Sequence, residues 1–422
     1  MYQFQLPARA KPLEGADGQV FVLPSIVYGI GMSSLLADVS AEMVVSVLPM
    51  YLFGVLQLSP LLVGLLDGFY QGGAALVRLV AAVLADGRFG ARRVALWGYG
   101  LSALSRLLLA SCAIPGLMTG LLGAMAALLS DRVGKGIRTA PRDALIAQSV
   151  PHQHLGLAFG VHRRLDAAGA LLGPLLAGAL LWLLPMRYEV VFLVSAVVAL
   201  PGIAVFWRAT AACRHQLATA AAPEHGMLSL LRSPWFVKAL MLVAATSLFS
   251  ISDGLLYASI QRAVGLSPEL FPLLSVVSAL GFLLAAAPLG RLADRVGTVK
   301  VYLAGNLCLA ATYLAWACGG VATTPIAVAM VFMIGVYYAA TDGVIVAAAA
   351  GSLAPPVRSR GLALLATVIG CAKFLSSLLF GALWTHLDVT VATLLFAAGL
   401  LLSVLVAALC MRHFNPLKTV PC

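Results

Sequence analysis

Charge is what this chain has least of. Only 10% of its 422 residues are Asp, Glu, Lys or Arg, against roughly 25% in an ordinary soluble domain. Hydrophobic residues make up 61%, and mean hydropathy is +0.99. A soluble chain of this length folds around two or three cores, each needing a polar surface. Too few polar side chains are present to cover such surfaces, so lipid is the expected solvent for most of the outside.

Other absences narrow the function. No G-x-x-x-x-G-K-[S/T] occurs, so ATP is not expected to drive this chain. No H-E-x-x-H, G-x-S-x-G or His/Cys/Asp cluster supports a membrane enzyme. No polar stretch is long enough for the output domain of a transporter-like sensor. The 7 cysteines are scattered and odd in number, without CxxC spacing, so no disulfide, metal site or cofactor is expected. Most sit in apolar runs, where Cys behaves as a small hydrophobe. Residues 1–22 are polar, with Arg9, Lys11, Glu14 and Asp17, and lack the pattern of a signal peptide. The first apolar run is therefore expected to direct insertion and to stay in the mature protein. The net charge of +11 lies in short gaps between apolar runs rather than in one basic module. That argues against nucleic acid as a partner and for a basic side of a membrane protein.

What is abundant is long hydrophobic sequence. Runs able to cross a bilayer, which takes roughly 20 residues, occur at about 25–54, 60–84, 93–113, 116–147, 157–183, 189–207, 235–260, 269–292, 299–319, 325–353, 361–386 and 389–411. These twelve spans predict an all-α membrane protein. A polar stretch from Arg208 to Pro234 divides them six and six. The reading is a cytoplasmic segment 1–22, a six-helix bundle 23–207, a linker 208–234 with a short amphipathic segment near Met227–Leu231, a second bundle 235–411 and a tail 412–422. With the N-terminus in the cytoplasm, Arg88, Arg92, Arg93, Arg208, Arg291, Arg295, Lys300, Arg358, Arg360 and Arg412 fall on the cytoplasmic side, while Arg187 and Arg262 face the other. The positive-inside rule therefore puts both termini in the cytoplasm.

The halves repeat. Leu58-Ser59-Pro60 and Leu266-Ser267-Pro268 precede the second and eighth spans, and Ala85-Asp86 and Ala293-Asp294 follow them, each at an offset of 208 residues. Gly156-Leu157-Ala158 and Gly361-Leu362-Ala363 open the fifth and eleventh spans at an offset of 205. Three matches at equivalent points argue for duplication.

The loop after the eighth span, Gly290-Arg291-Leu292-Ala293-Asp294-Arg295-Val296-Gly297-Thr298-Val299-Lys300, closely resembles the cytoplasmic signature of the major facilitator superfamily. The loop after the second span, from Leu84 through Asp86, Arg88, Arg92 and Arg93, is similar with one extra residue, and Ala82 stands where its leading glycine belongs. Arg132-Val133-Gly134-Lys135-Gly136 resembles the family's R-x-x-Q-G element, with Lys135 in place of Gln. Gly169-Ala170-Leu171-Leu172-Gly173-Pro174, followed by Gly178, resembles the fifth-span element of exporters that exchange substrate for protons. The string Asp131 to Ala144, with Asp38 to Met43, looks like a bacterial efflux-type subgroup of that superfamily. The resemblance covers essentially the whole chain. It implies two pseudo-symmetric six-helix bundles related by an axis along the membrane normal, in the bacterial inner membrane, as a monomer. It also implies a proton-coupled antiporter exporting a small molecule: a drug-like compound, a metabolite or a siderophore-like chelator. Proton symport on the same fold is the alternative.

Physical reasons attach to these motifs. Glycine permits unusual backbone angles in the short loops. Asp86 and Asp294 can cap a helix or accept from a cation, while Arg88, Arg92, Arg93, Arg295 and Lys300 hold the loops on one side. Asp143 is a candidate partner for the first loop's arginines. Such contacts suit a latch between two access states; the plainer reading is topology anchors. Gly169, Gly173 and Gly178 allow close helix contact, and Pro174 removes a backbone donor.

Charge inside the spans is the sharpest signal, because an ionised group near the bilayer centre costs roughly 2.5–3.5 kcal/mol or more. Asp38 and Glu42 share a face of the first span, and the second holds Asp67 and Arg78. The fourth holds Asp131, Arg132, Lys135 and Arg138, and the fifth His162, Arg163 and Asp166. The seventh, tenth and eleventh hold Asp253, Asp342 and Lys373. In the resembled fold, spans one, four, seven and ten line the central cavity, and each carries an acid here. Asp38 and Glu42 are the candidate proton carriers, since neighbouring carboxylates raise each other's proton affinity. Arg132 is the candidate coupling cation. Asp131, Lys135, Arg138, Asp253, Asp342 and Lys373 are candidates for the substrate cavity, with a basic wall suited to an anionic or zwitterionic substrate. The competing reading makes Asp131–Arg132 and Lys373 members of buried structural ion pairs, and His162 and Arg106 packing or snorkelling groups.

Overall fold

The computed structural model describes residues 22–86, 90–113, 120–151, 154–211, 234–320, 323–353 and 355–411. The expected linker core 212–233, with its proposed amphipathic segment, and the terminal segments lie outside the described residues.

Every long apolar run becomes a helix, since only a helix satisfies its own backbone groups within hydrocarbon. The helices are α1 (Ser25–Met50, continued by a π-helical turn Tyr51–Val55), α2 (Pro60–Asp86), α3 (Ala91–Ala113), α4 (Gly120–Gln148), α5 (Leu155–Leu183) and α6 (Tyr188–Ala209). Then come α7 (Pro234–Leu248), α8 (Asp253–Val264), α9 (Phe271–Val296), α10 (Thr298–Ala315), α11 (Thr324–Ser352), α12 (Pro355–His386) and α13 (Val389–Met411). Among the described residues, 10 spans are long and apolar enough to cross a membrane; α2 and α4 are the other two, and α4 carries Asp131, Arg132, Lys135 and Arg138 within eight residues.

The seventh span departs from expectation: it is not one helix but two, α7 and α8, broken at residues 249–252. Backbone groups freed there are taken up by neighbouring helices. The Ile251 N–H donates to the Tyr313 hydroxyl at 2.8 Å, and Ser376 Oγ donates to the Ser250 carbonyl at 2.7 Å. Ser252 caps α8 by accepting from the Leu255 N–H at 3.4 Å. The Ser-Ile-Ser-Asp-Gly string over 250–254 is the sequence signature of that cap. Asp253 therefore opens a helix rather than standing inside one.

The two halves use the same packing plan. In the first, α3 packs on α4, α1 on α5 and α6, and α2 on α4; in the second, α10 packs on α11, the α7 segment on α12 and α13, and α9 on α11. Glycines set the closest approaches. A Cβ on Gly98 would stand 2.6 Å from the Gly134 carbonyl, and one on Gly305 would stand 2.6 Å from the Ala340 Cβ at the equivalent crossing. Between halves, α2 lies along α12 and α5 meets α9. These contacts reach from mid-membrane to the side opposite the chain termini, called here the far side. There the Leu61 N–H donates to Thr385 Oγ1 at 2.9 Å, Gly64 packs on Gly381, and Arg262 of α8 lies 4.4 Å from the Phe53 ring and 5.4 Å from that of Trp384.

Gly335 of α11 is wedged against α9, where an added Cβ would meet the Ser278 carbonyl and stand 2.7 Å from the Phe282 nitrogen. Gly290, within α9, has open space around it. Gly335→Leu is expected to lower the apparent unfolding temperature in detergent by more than about 5 °C. Gly290→Ala should leave it equal or slightly higher, because alanine favours the helix by about 0.5–1 kcal/mol. Parallel thermal unfolding followed by size-exclusion chromatography checks both.

Candidate functional site

The first half gathers its charges around α4. Asp38 and Glu42 of α1 sit one turn apart, and the glycines of α5 back them. A Cβ on Gly169 would stand 3.2 Å from the Asp38 Cβ, and one on Gly173 would stand 2.7 Å from the Glu42 Cβ and from the Val39 carbonyl. The span-five element thus presses α5 against the turn of α1 that carries the two acids. Gly178 reaches the other half instead, 3.4 Å from Leu273 as a built Cβ, and Pro174 is buried within an unbroken α5.

Opposite α1 stand the cations of α4. Arg138 lies 3.7 Å from Asp38 Oδ1 and 4.9 Å from the Tyr99 ring centroid. Lys135 lies within the field of both Asp38 and Glu42. Arg132 is buried, ion-paired with Asp131 and laid 3.6 Å over the Tyr70 ring of α2. Asp131 is also 3.3 Å from Arg106 of α3, which donates to the Ser102 carbonyl at 2.6 Å. Asp131 is therefore part of a buried ion triad with Arg106 and Arg132, the structural alternative weighed for it above. A narrow pocket lined by Ala41, Tyr70, Arg106 and Asp131 runs between α1 and this triad. Nearer the termini, Arg142 binds Asp143 at 2.9 Å and Ser34 Oγ at 3.3 Å, and His162 Nε2 lies 3.4 Å from Asp166.

A second polar group surrounds the break between α7 and α8. Asp67 of α2 accepts from Ser377 Oγ of α12 at 2.5 Å, and Asp253 accepts from the Tyr338 hydroxyl of α11 at 2.5 Å. Lys373 of α12 lies 5.8 Å from the Tyr338 ring and within the field of Asp67, Asp253 and Asp342. Gln71, Ser250, Ser252, Tyr338, Lys373 and Ser377 line a pocket there. The embedded charges therefore form two groups: Asp38 and Glu42 with the α4 cations on one side, and Asp253 and Asp342 with Lys373 of α12 on the other. Helix α2 stands between them, turning Tyr70 to the first and Asp67 to the second.

The loop residues are placed differently from one another. Gly297 has φ of 103° and makes the turn between α9 and α10, as glycine alone does comfortably, and Gly90 at φ 75° stands before α3 in the same role. Gly290 is helical, so it is not a turn residue. Asp294, Arg295 and Lys300 are exposed. Arg92 ties α3 to the end of α6, donating to Thr210 Oγ1 at 3.2 Å and the Trp207 carbonyl at 3.1 Å; Arg93 is exposed. Asp143 is paired with its neighbour Arg142. Arg88 and the Asp86 side chain lie outside the described residues.

Residues 30–257 and 247–419 match the sequence profile of the Major Facilitator Superfamily, one match for each half. The chain belongs to the Major Facilitator Superfamily. An uncharacterized MFS-type transporter of Methanocaldococcus jannaschii is 36% identical over 172 residues, 41% of each chain. An uncharacterized protein of Mycobacterium bovis is 35% identical over 153 residues, 36% of this chain and 35% of that one. The match thus spans less than half the length of either relative. Among solved structures, nucleoside transporter NupG superposes with a TM-score of 0.73 at 12% identity, covering 93% of this chain and 100% of that one. A D-xylose-proton symporter superposes at 0.72 and 16% identity, covering 94% and 99%. At such identities the likeness is one of fold. Family and fold are together those of multi-pass membrane transporters.

Several groups in the site escape the sequence patterns. Tyr70, Tyr338 and Ser377 each complete a charge that the spans expose, yet singly they read as ordinary membrane-helix residues; Asp67 and Arg106 stood out as embedded charges, but their partners did not. Arg106 and Asp131 give a direct test. Asp131→Asn leaves two buried guanidiniums without their counter-charge and is expected to destabilise the protein by about 3–5 kcal/mol. Arg106→Met in the same background should restore part of that loss, giving a favourable coupling in a double-mutant cycle read by denaturant unfolding in detergent.

Proposed function

We propose that this transporter is a proton-driven antiporter that exports a small organic molecule carrying a cationic group, most simply a zwitterion. The observation that carries the reading is the facing of Asp38 and Glu42 against Arg138, Lys135 and Arg132, with Gly169 and Gly173 holding α1 in register behind the acids. Antiport requires the proton and the substrate to compete for one site. Carboxylates at 38 and 42 supply it: each binds either a proton or the cationic group of a substrate, while a substrate's anionic group pairs with α4. Proton arrival from the far side then displaces the substrate there, and loss of the proton toward the terminal side readies the acids for another molecule. The excess of arginine and lysine in the terminal-side loops supports a cytoplasmic terminal side, which makes displacement on the far side export. The energy comes from the proton gradient, about 2.3 kcal/mol per charge for each 100 mV.

A purely anionic substrate would reverse the logic. Protonating Asp38 releases Arg138 from its 3.7 Å ion pair, and the freed cation then attracts the anion, so that proton and substrate bind together. That is symport, the second reading on the same residues.

Everted membrane vesicles decide between them. With drug-like compounds, metabolites and siderophore-like chelators as a panel, an acid vesicle interior should drive accumulation of the true substrate, and collapse of the pH gradient should release it. Asp38→Asn and Glu42→Gln should abolish gradient-driven accumulation at normal membrane abundance. Arg132→Ala should lower it by at least about tenfold beyond any fall in abundance. Accumulation driven by the opposite gradient would overturn export, and full activity of both acid variants would remove the pair from the mechanism.

A further inference from the structure

The contact between α2 and α12 joins the halves backbone to backbone. Gly64 of α2 packs on the Ser377 carbonyl and Gly381, a Cβ on Gly68 would stand 2.8 Å from the Phe374 carbonyl, and one on Gly72 would stand 3.1 Å from the Gly370 carbonyl. Three consecutive turns of α2 thus present glycine to this face, with one side chain set among them. Asp67 stands in the middle of the ladder, and its Oδ2 accepts from Ser377 Oγ across the boundary between halves.

The surroundings of Asp67 come almost wholly from the other half. Ser252, the cap of α8, and Ser377 of α12 offer hydroxyls, with Gln71 one turn away on α2 itself. The charged groups facing it among the described residues are Lys373 of α12 and Asp253 of α8. A Cβ built on Gly254 would stand 3.8 Å from Asp67 Oδ1, so α8 also closes over the carboxyl. When the far side opens, α12 must leave α2. Ser377 and Lys373 then depart together, and water replaces them.

We propose that Asp67 is a positioning residue that links proton binding to closure of the far side: its carboxyl exchanges a proton with far-side water when the halves part, and bonds Ser377 when they meet. A titratable group whose neighbours differ between two states binds protons differently in them, so the equilibrium between those states depends on pH. The proton balance is simple: carboxylate and proton from far-side water give the neutral acid, and the reverse returns the proton to the same water. Asp67 differs in this from Asp38 and Glu42, whose neighbours lie within one half and move with them. The inference rests on the far side opening and closing, and not on the direction of transport or the substrate.

Closure is read as a distance. Val55 and Leu387 are exposed at the far ends of α1 and α12. Val55→Cys and Leu387→Cys, in full-length protein with its native cysteines replaced by serine, carry a spin-label pair in lipid nanodiscs. The ratio of short- to long-distance populations should change by at least about threefold between about pH 5.5 and 8.5. Asp67→Asn should abolish that dependence. Ser377→Ala should lower the short-distance population at every pH but keep the dependence. Arg262→Ala, which loosens the contact with Phe53 and Trp384, should act like Ser377→Ala. A pH dependence that survives in Asp67→Asn, or its absence in the parent protein, overturns the proposal. Because the measurement needs no substrate, its failure leaves the export reading standing, and failure of export in vesicles leaves this linkage intact.

Discussion

An ionised side chain in a membrane span must find its partner on another span. Hydrocarbon offers no hydration, and the cost of leaving a charge alone there is several kcal/mol. Helix α4 meets that demand in three directions. Arg132 and Asp131 join Arg106 of α3, Arg132 covers Tyr70 of α2, and Arg138 reaches Asp38 of α1. These contacts fix how α4 is rotated, and the rotation places Lys135 before Glu42. Close approach then has to be permitted where the charges meet. Gly134 against Gly98, and Gly173 against Val39 and Glu42, provide that closeness. The electrostatic requirement and the glycine pattern are two sides of one packing solution.

Duplication extends to the scaffold but not to the chemistry. Glycines recur at equivalent places: Gly90 and Gly297 in the loops, Gly98 and Gly305 on the third and ninth spans, Gly73 and Gly281 on the second and eighth. The charges of α4 do not recur. Positions 208 residues beyond Asp131, Arg132 and Lys135 are Ala339, Ala340 and Gly343, and Asp342 is the acid that α11 retains. Two bundles that pack alike therefore present unlike faces to each other. The first offers acids among a surplus of cations; the second offers Asp253 and Asp342 with Lys373. That asymmetry is what the proposed zwitterionic substrate calls for.

The spans, the repeat and the embedded charges were legible because each is a local pattern: run length, motif spacing, an acid among apolar neighbours. What the sequence hid is partnership. Ser377 is 310 residues from Asp67, Tyr338 is 85 from Asp253, and neither residue type is unusual in a membrane helix. The break in the seventh span was legible only in part. The cap string at 250–254 marks a helix start, but the break also needs Tyr313 and Ser376 to hold its freed backbone groups, and those lie on other spans. Loop glycines show the same limit. The second signature suggests turns at both of its glycines, while Gly290 is helical and Gly297 has the positive φ that favours glycine.

Alternation sets a final constraint on how tightly the halves can meet. One proton crossing a gradient of about 150–200 mV delivers only about 3.5–4.6 kcal/mol, so closure cannot be deeper than a few kcal/mol if a proton is to reverse it. The far-side interface is built on that scale. Lipid gives helices no hydrophobic reason to associate, and the α2–α12 ladder adds mainly van der Waals contact between backbones, with the Leu61–Thr385 and Asp67–Ser377 hydrogen bonds across it. Arg262 over Phe53 and Trp384 is exposed at the membrane edge, where such a contact contributes about 0.5–1 kcal/mol. The buried Asp131–Arg106–Arg132 triad and the Arg138–Asp38 pair lie elsewhere, within the first half. Separating rigid charge networks within a bundle from weak small-residue contacts between bundles lets the fold keep its shape while its halves part.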